Sequence, residues 1–99
     1  MLLALICTDN PGMAERRVEL RPEHKAHVAR IADQLAFAGP LLADDGQAIV
    51  GSLIVAEFAD KQAAQDWLDQ EPYFRNGVYG SVQIRRFANY WPQRAGFPQ

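Results

Sequence analysis

Ninety-nine residues, 48% hydrophobic and 22% charged, make one globular domain with room for a single core. A formal charge of −2, with ten Lys and Arg scattered along the chain, speaks against nucleic acid or an anionic membrane as partner. Cys7 is the only cysteine, so an internal disulfide is excluded, and no segment approaches the roughly 20 apolar residues that a bilayer span requires.

Leu2 to Thr8 (LLALICT) is a continuous apolar run ended by Asp-Asn-Pro-Gly, and it reads as a strand buried on both faces. It lacks the basic flank, length and cleavage site of a signal peptide, so a cytoplasmic location is expected. Residues 11–20 predict a short helical turn. Pro22 suits a first helical turn, so the main helix is expected from Pro22 to about Phe37, stopped by Gly39 and Pro40. PLLA and AIVGSLIVAEF then flank Asp45-Gly46, a hairpin signal. Asp60 is a good N-cap for a second helix over KQAAQDWLDQ, which Pro72 ends. SVQIRRFANY alternates as a last strand. This βαββαβ order predicts a ferredoxin-like α+β fold: a four-stranded antiparallel sheet with both helices on one face.

Two helices cover only one face of such a sheet. Leu53 and Val55 point to one side of their strand, and Ile54, Ala56 and Phe58 to the other, so both faces are apolar. An apolar face left open predicts a homodimer, sheet against sheet. The alternative is that the tail over residues 89–99, with Tyr90, Trp91 and Phe97, folds back over the patch. It could equally reach a partner.

At helical spacing His24, Val28, Ile31 and Leu35 fall within a stripe about 40° wide, which directs His24 toward the sheet. His27 lies at the edge of the stripe. A lone histidine there commonly satisfies a backbone carbonyl, but two features point to chemistry. Arg16, Arg17 and Arg21 precede His24 within eight residues. Ala64, Trp67, Leu68 and Glu71 share the apolar face of the second helix, placing a carboxylate at that helix's C-terminus, where the macrodipole disfavours an anion. Such a carboxylate suits a base, or a partner that orients an imidazole. Fraying that carries Glu71 into water is the structural alternative.

Metal is not expected: EHKAH is not HExxH, and His24 and His27 point about 60° apart. No nucleophile elbow surrounds Ser52, and no glycine-rich phosphate loop follows a strand. No cofactor is expected.

The segments TDNPGMAERRVELRPEHKAHV, AGPLL, GSLIVAEF and EPYFRNGVYGSVQIRRF resemble the YciI-like (YCII-related) family over nearly the whole chain. That resemblance implies a dimeric α+β barrel fold similar to muconolactone isomerase, and an active site built on a histidine–aspartate pair. One family relative is a dehydrochlorinase acting on a chlorinated hydroxyhydroquinone. Carried over, the histidine is His24 and the acid is Glu71, standing where the family pattern usually has Asp before Pro. Asp9, Arg17, Arg21, Ser52 and Tyr73 also match. Arg17 and Arg21 would suit an anionic or phenolate substrate, Ser52 and Tyr73 would line its site, and Asp9 would either join the catalytic group or cap a turn.

The expected function is cofactor-free acid–base chemistry on a small anionic or aromatic acid, of lyase or isomerase type, with His24 as base and Glu71 or Asp9 behind it. A non-catalytic module that binds an organic acid is the alternative. A purely structural protein using its apolar sheet face is a third reading.

Overall fold

The computed structural model describes residues 1–91. Four strands, β1 (Leu2–Asp9), β2 (Leu35–Leu42), β3 (Ile49–Glu57) and β4 (Tyr79–Arg86), form one antiparallel sheet in the order β2-β3-β1-β4. Helices α1 (Ala14–Ala29) and α2 (Lys61–Asp69) follow β1 and β3, and a single turn, α3 (Pro72–Arg75), leads into β4. This is the ferredoxin-like α+β arrangement.

Alternation along the strands builds the core. Leu3, Leu5 and Cys7 of β1 and Ile54 and Ala56 of β3 point to the helix side, where they meet Leu20 of α1, Ile31 just beyond it, and Ala64 and Leu68 of α2. Leu3, Leu5 and Leu68 are essentially fully buried, each contributing roughly 1.5–3 kcal/mol. Local signals act where the sequence places them. The Asp60 side chain caps α2 by accepting from the Ala63 amide at 2.8 Å. In the β2–β3 turn, Asp45 accepts from the amides of Gln47 and Ala48, and Gly46 takes a positive φ of 72° that other residues avoid.

The main helix departs from its predicted span at both ends. It runs unbroken from Ala14, with Pro22 in its interior rather than in its first turn. Pro22 removes the partner of the Val18 carbonyl, but both residues lie on the exposed side of the helix, where water satisfies that oxygen. The helix stops at Ala29, when the Arg30 and Ile31 amides fold back on His27 and Val28 and a 3₁₀ turn (Ala32–Gln34) follows. The stretch from Leu35 is strand β2, so Gly39 and Pro40 sit inside a strand instead of ending a helix. Pro40 is tolerated because β2 is an edge. The last strand also starts and ends earlier than expected, at Tyr79 and Arg86.

The face away from the helices is partly closed by the chain itself. Val55 pairs with Ala4 on one side and Phe37 on the other, so all three share that face. Phe37 and Phe87 reach across it and meet edge to face at 6.3 Å, and beneath them Ala4 and Val55 are buried. Leu2, Ile6 and Leu53 remain half-buried. Tyr90 and Trp91 are 85% and 88% exposed, and Phe97 lies outside the described residues.

Candidate active site

The inward row of α1 is Arg17, Leu20, His24, His27 and Ile31, spaced 3, 4, 3 and 4. Of these, Arg17, Leu20, His27 and Ile31 are buried and His24 is half-buried. His27 therefore lies inside the domain and not at a stripe's edge. Its Nε2 bonds the Trp67 carbonyl at 2.8 Å and its ring stacks on Trp67, tying α1 to α2.

His24 has a different partner. Its Nδ1 lies 2.6 Å from Oε1 of Glu71, which is fully buried. Glu71 is not in the last turn of α2, as its spacing predicts. That helix ends at Asp69, and Glu71 is the extended residue preceding Pro72 and α3. The macrodipole argument for its chemistry therefore falls away, and burial takes its place. Its other oxygen, Oε2, has no hydrogen-bond partner among the described residues. Stability alone rarely retains a buried carboxylate with an unpaired oxygen. An ionised carboxylate only accepts, so against an ionised Glu71 the proton of this bond lies on Nδ1. Nε2 makes no hydrogen bond among the described residues and is not enclosed.

Tyr73 fixes the ring from a second direction. Its ring lies 4.1 Å from that of His24 with 14° between planes, and the Arg17 guanidinium sits 4.7 Å from its centroid. Arg17 and His24 are seven residues apart on α1, two turns of helix, and the Tyr73 ring contacts both. Its hydroxyl donates to the Arg17 carbonyl at 3.2 Å. A hydrogen bond through Nδ1 and a stack on the ring face together leave the imidazole little freedom.

The structure ties Asp9 to Arg17 and not to His24. Both oxygens of Asp9 accept from the guanidinium, at 2.6 and 2.9 Å, with side-chain exposures of 6% and 8% for the pair. The same guanidinium donates to Ser52 Oγ at 3.0 Å, so the Ser52 hydrogen is free to donate elsewhere. Burial works against the Arg17 charge, but the hydrogen bond and charge of Asp9 outweigh it and hold the group above its ordinary value.

Between α1 and the β2–β3 hairpin lies a cleft of about 560 Å³. Arg17, His24, Ser52 and Tyr73 form its inner end, and Arg21 and Lys25 border it along α1. Asp9 and Glu71 stand behind it, reaching the cleft only through Arg17 and His24. Val28, Leu35, Pro40 and Ile49 make most of the remaining wall apolar. Lys25 and Gln47 are polar lining residues that sequence reasoning missed; for Lys25 the i,i+4 spacing from Arg21 carried the signal. Among the described residues, no group of three His, Cys, Asp or Glu side chains is placed to hold a metal.

Cys7 lies in the core behind the site. Burial, reinforced by the Glu71 charge, pushes its thiol up to about 12. The folded protein is therefore expected to leave Cys7 unmodified by iodoacetamide at pH 8, where almost none of it is thiolate, and unfolding should restore alkylation at an ordinary cysteine's rate. Intact-protein mass spectrometry checks this.

No helix among the described residues is long and apolar enough to cross a membrane. The YCII-related domain family matches residues 1–88. Protein YciI of Escherichia coli is 37% identical over 94 residues, covering 88% of this chain and 96% of that protein. An uncharacterized protein of Haemophilus influenzae is 33% identical over the same shares. Among solved structures, the fold is similar to 5-chloro-2-hydroxyhydroquinone dehydrochlorinase from Burkholderia phenoliruptrix, in complex with 2,5-dihydroxybenzoquinone. The TM-score is 0.80 at 18% identity, over 89% of this chain and 94% of that one. That likeness speaks for the fold alone. By sequence, the chain belongs to the YCII-related family.

Proposed function

We propose that this protein is a cofactor-free acid–base catalyst acting on a small anionic or aromatic acid in the cleft. The observation that carries this reading is the placement of Glu71, whose one paired oxygen holds His24 Nδ1 while the opposite nitrogen is left open.

His24 Nε2 takes a proton from the ligand, and the bond's electron pair stays behind as an enolate or phenolate. Glu71 stabilises the imidazolium, and the Ser52 hydroxyl faces the developing anion. Return of the proton to another carbon completes a double-bond shift, whereas expulsion of a leaving group by the electron pair completes an elimination. The same fold hosts a dehydrochlorinase, so elimination chemistry is compatible with it.

The half-buried Leu2, Ile6 and Leu53 on the open sheet face support a homodimer, sheet against sheet, that buries them. Tyr90 and Trp91, exposed at the end of the described residues, are available to that partner.

The test is deuterium exchange. Aromatic and enolisable acids that raise the melting temperature are incubated with the protein in D₂O, and loss of ligand C–H signals is followed by NMR. Exchange that requires His24 supports proton transfer. Ligands that bind without exchange would leave an organic-acid binding module.

A further inference from the structure

Four Lys and Arg side chains lie on α1. Two are committed within the protein: Arg16 pairs with Glu19 at 2.8 Å, and Arg17 with Asp9 at 2.6 Å. Arg21 and Lys25 make no salt bridge or side-chain hydrogen bond among the described residues, yet both border the cleft. Residues three and four away on a helix are the neighbours that could neutralise them. For Arg21 these are Arg17, Val18, His24 and Lys25, and for Lys25 they are Arg21, Pro22, Val28 and Ala29. None is acidic, although Glu15, Glu19 and Glu23 lie on the same helix. Like charges one turn apart repel, so the helix keeps this pair at a cost.

Apart from Gln47 and the polar inner end, what they face is apolar. Val28, Leu35, Pro40 and Ile49 offer a cation nothing, while they suit a hydrocarbon body. An anion between Arg21 and Lys25 relieves their repulsion, and a planar carboxylate fits the guanidinium fork. Size narrows the choice. A buried cavity of about 150 Å³ holds benzene, and this cleft, at about 560 Å³, is several times larger.

We propose that Arg21 and Lys25 are the anion anchor of the cleft, and that its ligand is a carboxylic acid whose apolar body is larger than one ring. The carboxylate lies along α1 at the rim, and the body runs between Val28 and Ile49 toward His24. Arg17 is not an anchor, because Asp9 already occupies its fork. Naming this ligand the substrate rests on the proton-transfer reading above, whereas the anchor itself does not.

The full chain is titrated with 2-naphthoate, its neutral counterpart 2-naphthylmethanol, and benzoate. We expect 2-naphthoate to bind at least about tenfold more tightly than either of the others. Arg21→Gln and Lys25→Gln should each weaken 2-naphthoate about three- to tenfold, as suits partly exposed charges, and the double variant should bring it to the level of the alcohol. Arg16→Gln should change nothing. All of these residues are exposed, so the variants should fold. Equal binding of acid and alcohol, no binding of either, or a double variant that keeps the acid preference would overturn the proposal. His24→Ala separates the two readings: it should keep the acid preference while losing exchange. If the preference holds and no acid ever exchanges, the anchor stands and proton transfer falls.

Discussion

Asp9→Ala is expected to lower the melting temperature by at least about 12 °C, the largest stability loss of any single substitution at the site. The pair it breaks is bidentate and almost fully enclosed, with both side chains below a tenth exposed. Removing one partner from such a pair typically costs about 3–5 kcal/mol, because the remaining charge stays buried without compensation. For a domain of this size each kcal/mol is worth about 4–8 °C. Arg17 also packs on the Tyr73 ring that stacks on His24, so a loose guanidinium disturbs the His24 ring at one remove. A catalytic acid would behave differently: its loss would abolish turnover and leave the melting temperature nearly unchanged. Differential scanning calorimetry of Asp9→Ala beside the parent protein distinguishes these outcomes.

His24→Ala should reduce turnover, or ligand deuterium exchange, by about 10²–10⁴-fold, the usual worth of a positioned general base. Its effect on folding should be small by comparison, because His24 is half-buried and its removal opens a site that water reaches. Glu71→Gln should lie between parent and His24→Ala. The amide oxygen can still accept from Nδ1, so the tautomer survives, but the charge that stabilises the imidazolium is gone. Tyr73→Phe should resemble the parent, since the stack on His24 remains and only the bond to the Arg17 carbonyl is lost. If His24→Ala retained turnover on a ligand that the parent consumes, His24 would not be the base.

Much of this fold could be read in advance, because its signals are local. The apolar run of β1, the Asp-Gly hairpin, the Asp60 cap and the two-faced alternation of β3 each depend on a few neighbouring residues. The main helix misled because Pro22 offers two readings, and the first-turn reading ignored that Arg17 and Leu20 already belong to the inward row. Leu35 then continued the spacing of Ile31 by coincidence of place, since it packs against the same core from a strand. Covering of the open face could not be foreseen either. Phe37 and Phe87 lie 50 residues apart, and only the strand order brings their rings together.

The site was legible by residue type more than by geometry. His24 and Glu71 could be proposed as partners, but the reason first given for Glu71, a helix C-terminus, is not the one the structure supplies. Its burial behind the imidazole comes from the chain leaving α2 and turning at Pro72, which no spacing rule captures. Asp9 and Arg17 match the family pattern as site residues; the structure pairs them with each other, and of the two Arg17 lines the cleft. Tyr73, assigned to the substrate by resemblance, stands between Arg17 and His24 and also lines the cleft.

The proposed chemistry requires that His24 present a bare Nε2 to the cleft because Glu71 holds the proton on Nδ1. Long-range ¹H–¹⁵N NMR of the uniformly labelled protein at pH 7.5 tests it most directly, since the two ring nitrogens differ widely in shift when one carries the proton. A single neutral tautomer is expected, with Nδ1 protonated and Nε2 free, and it should be lost in Glu71→Ala. A proton on Nε2, an even mixture of tautomers, or an imidazolium protonated on both nitrogens would contradict it.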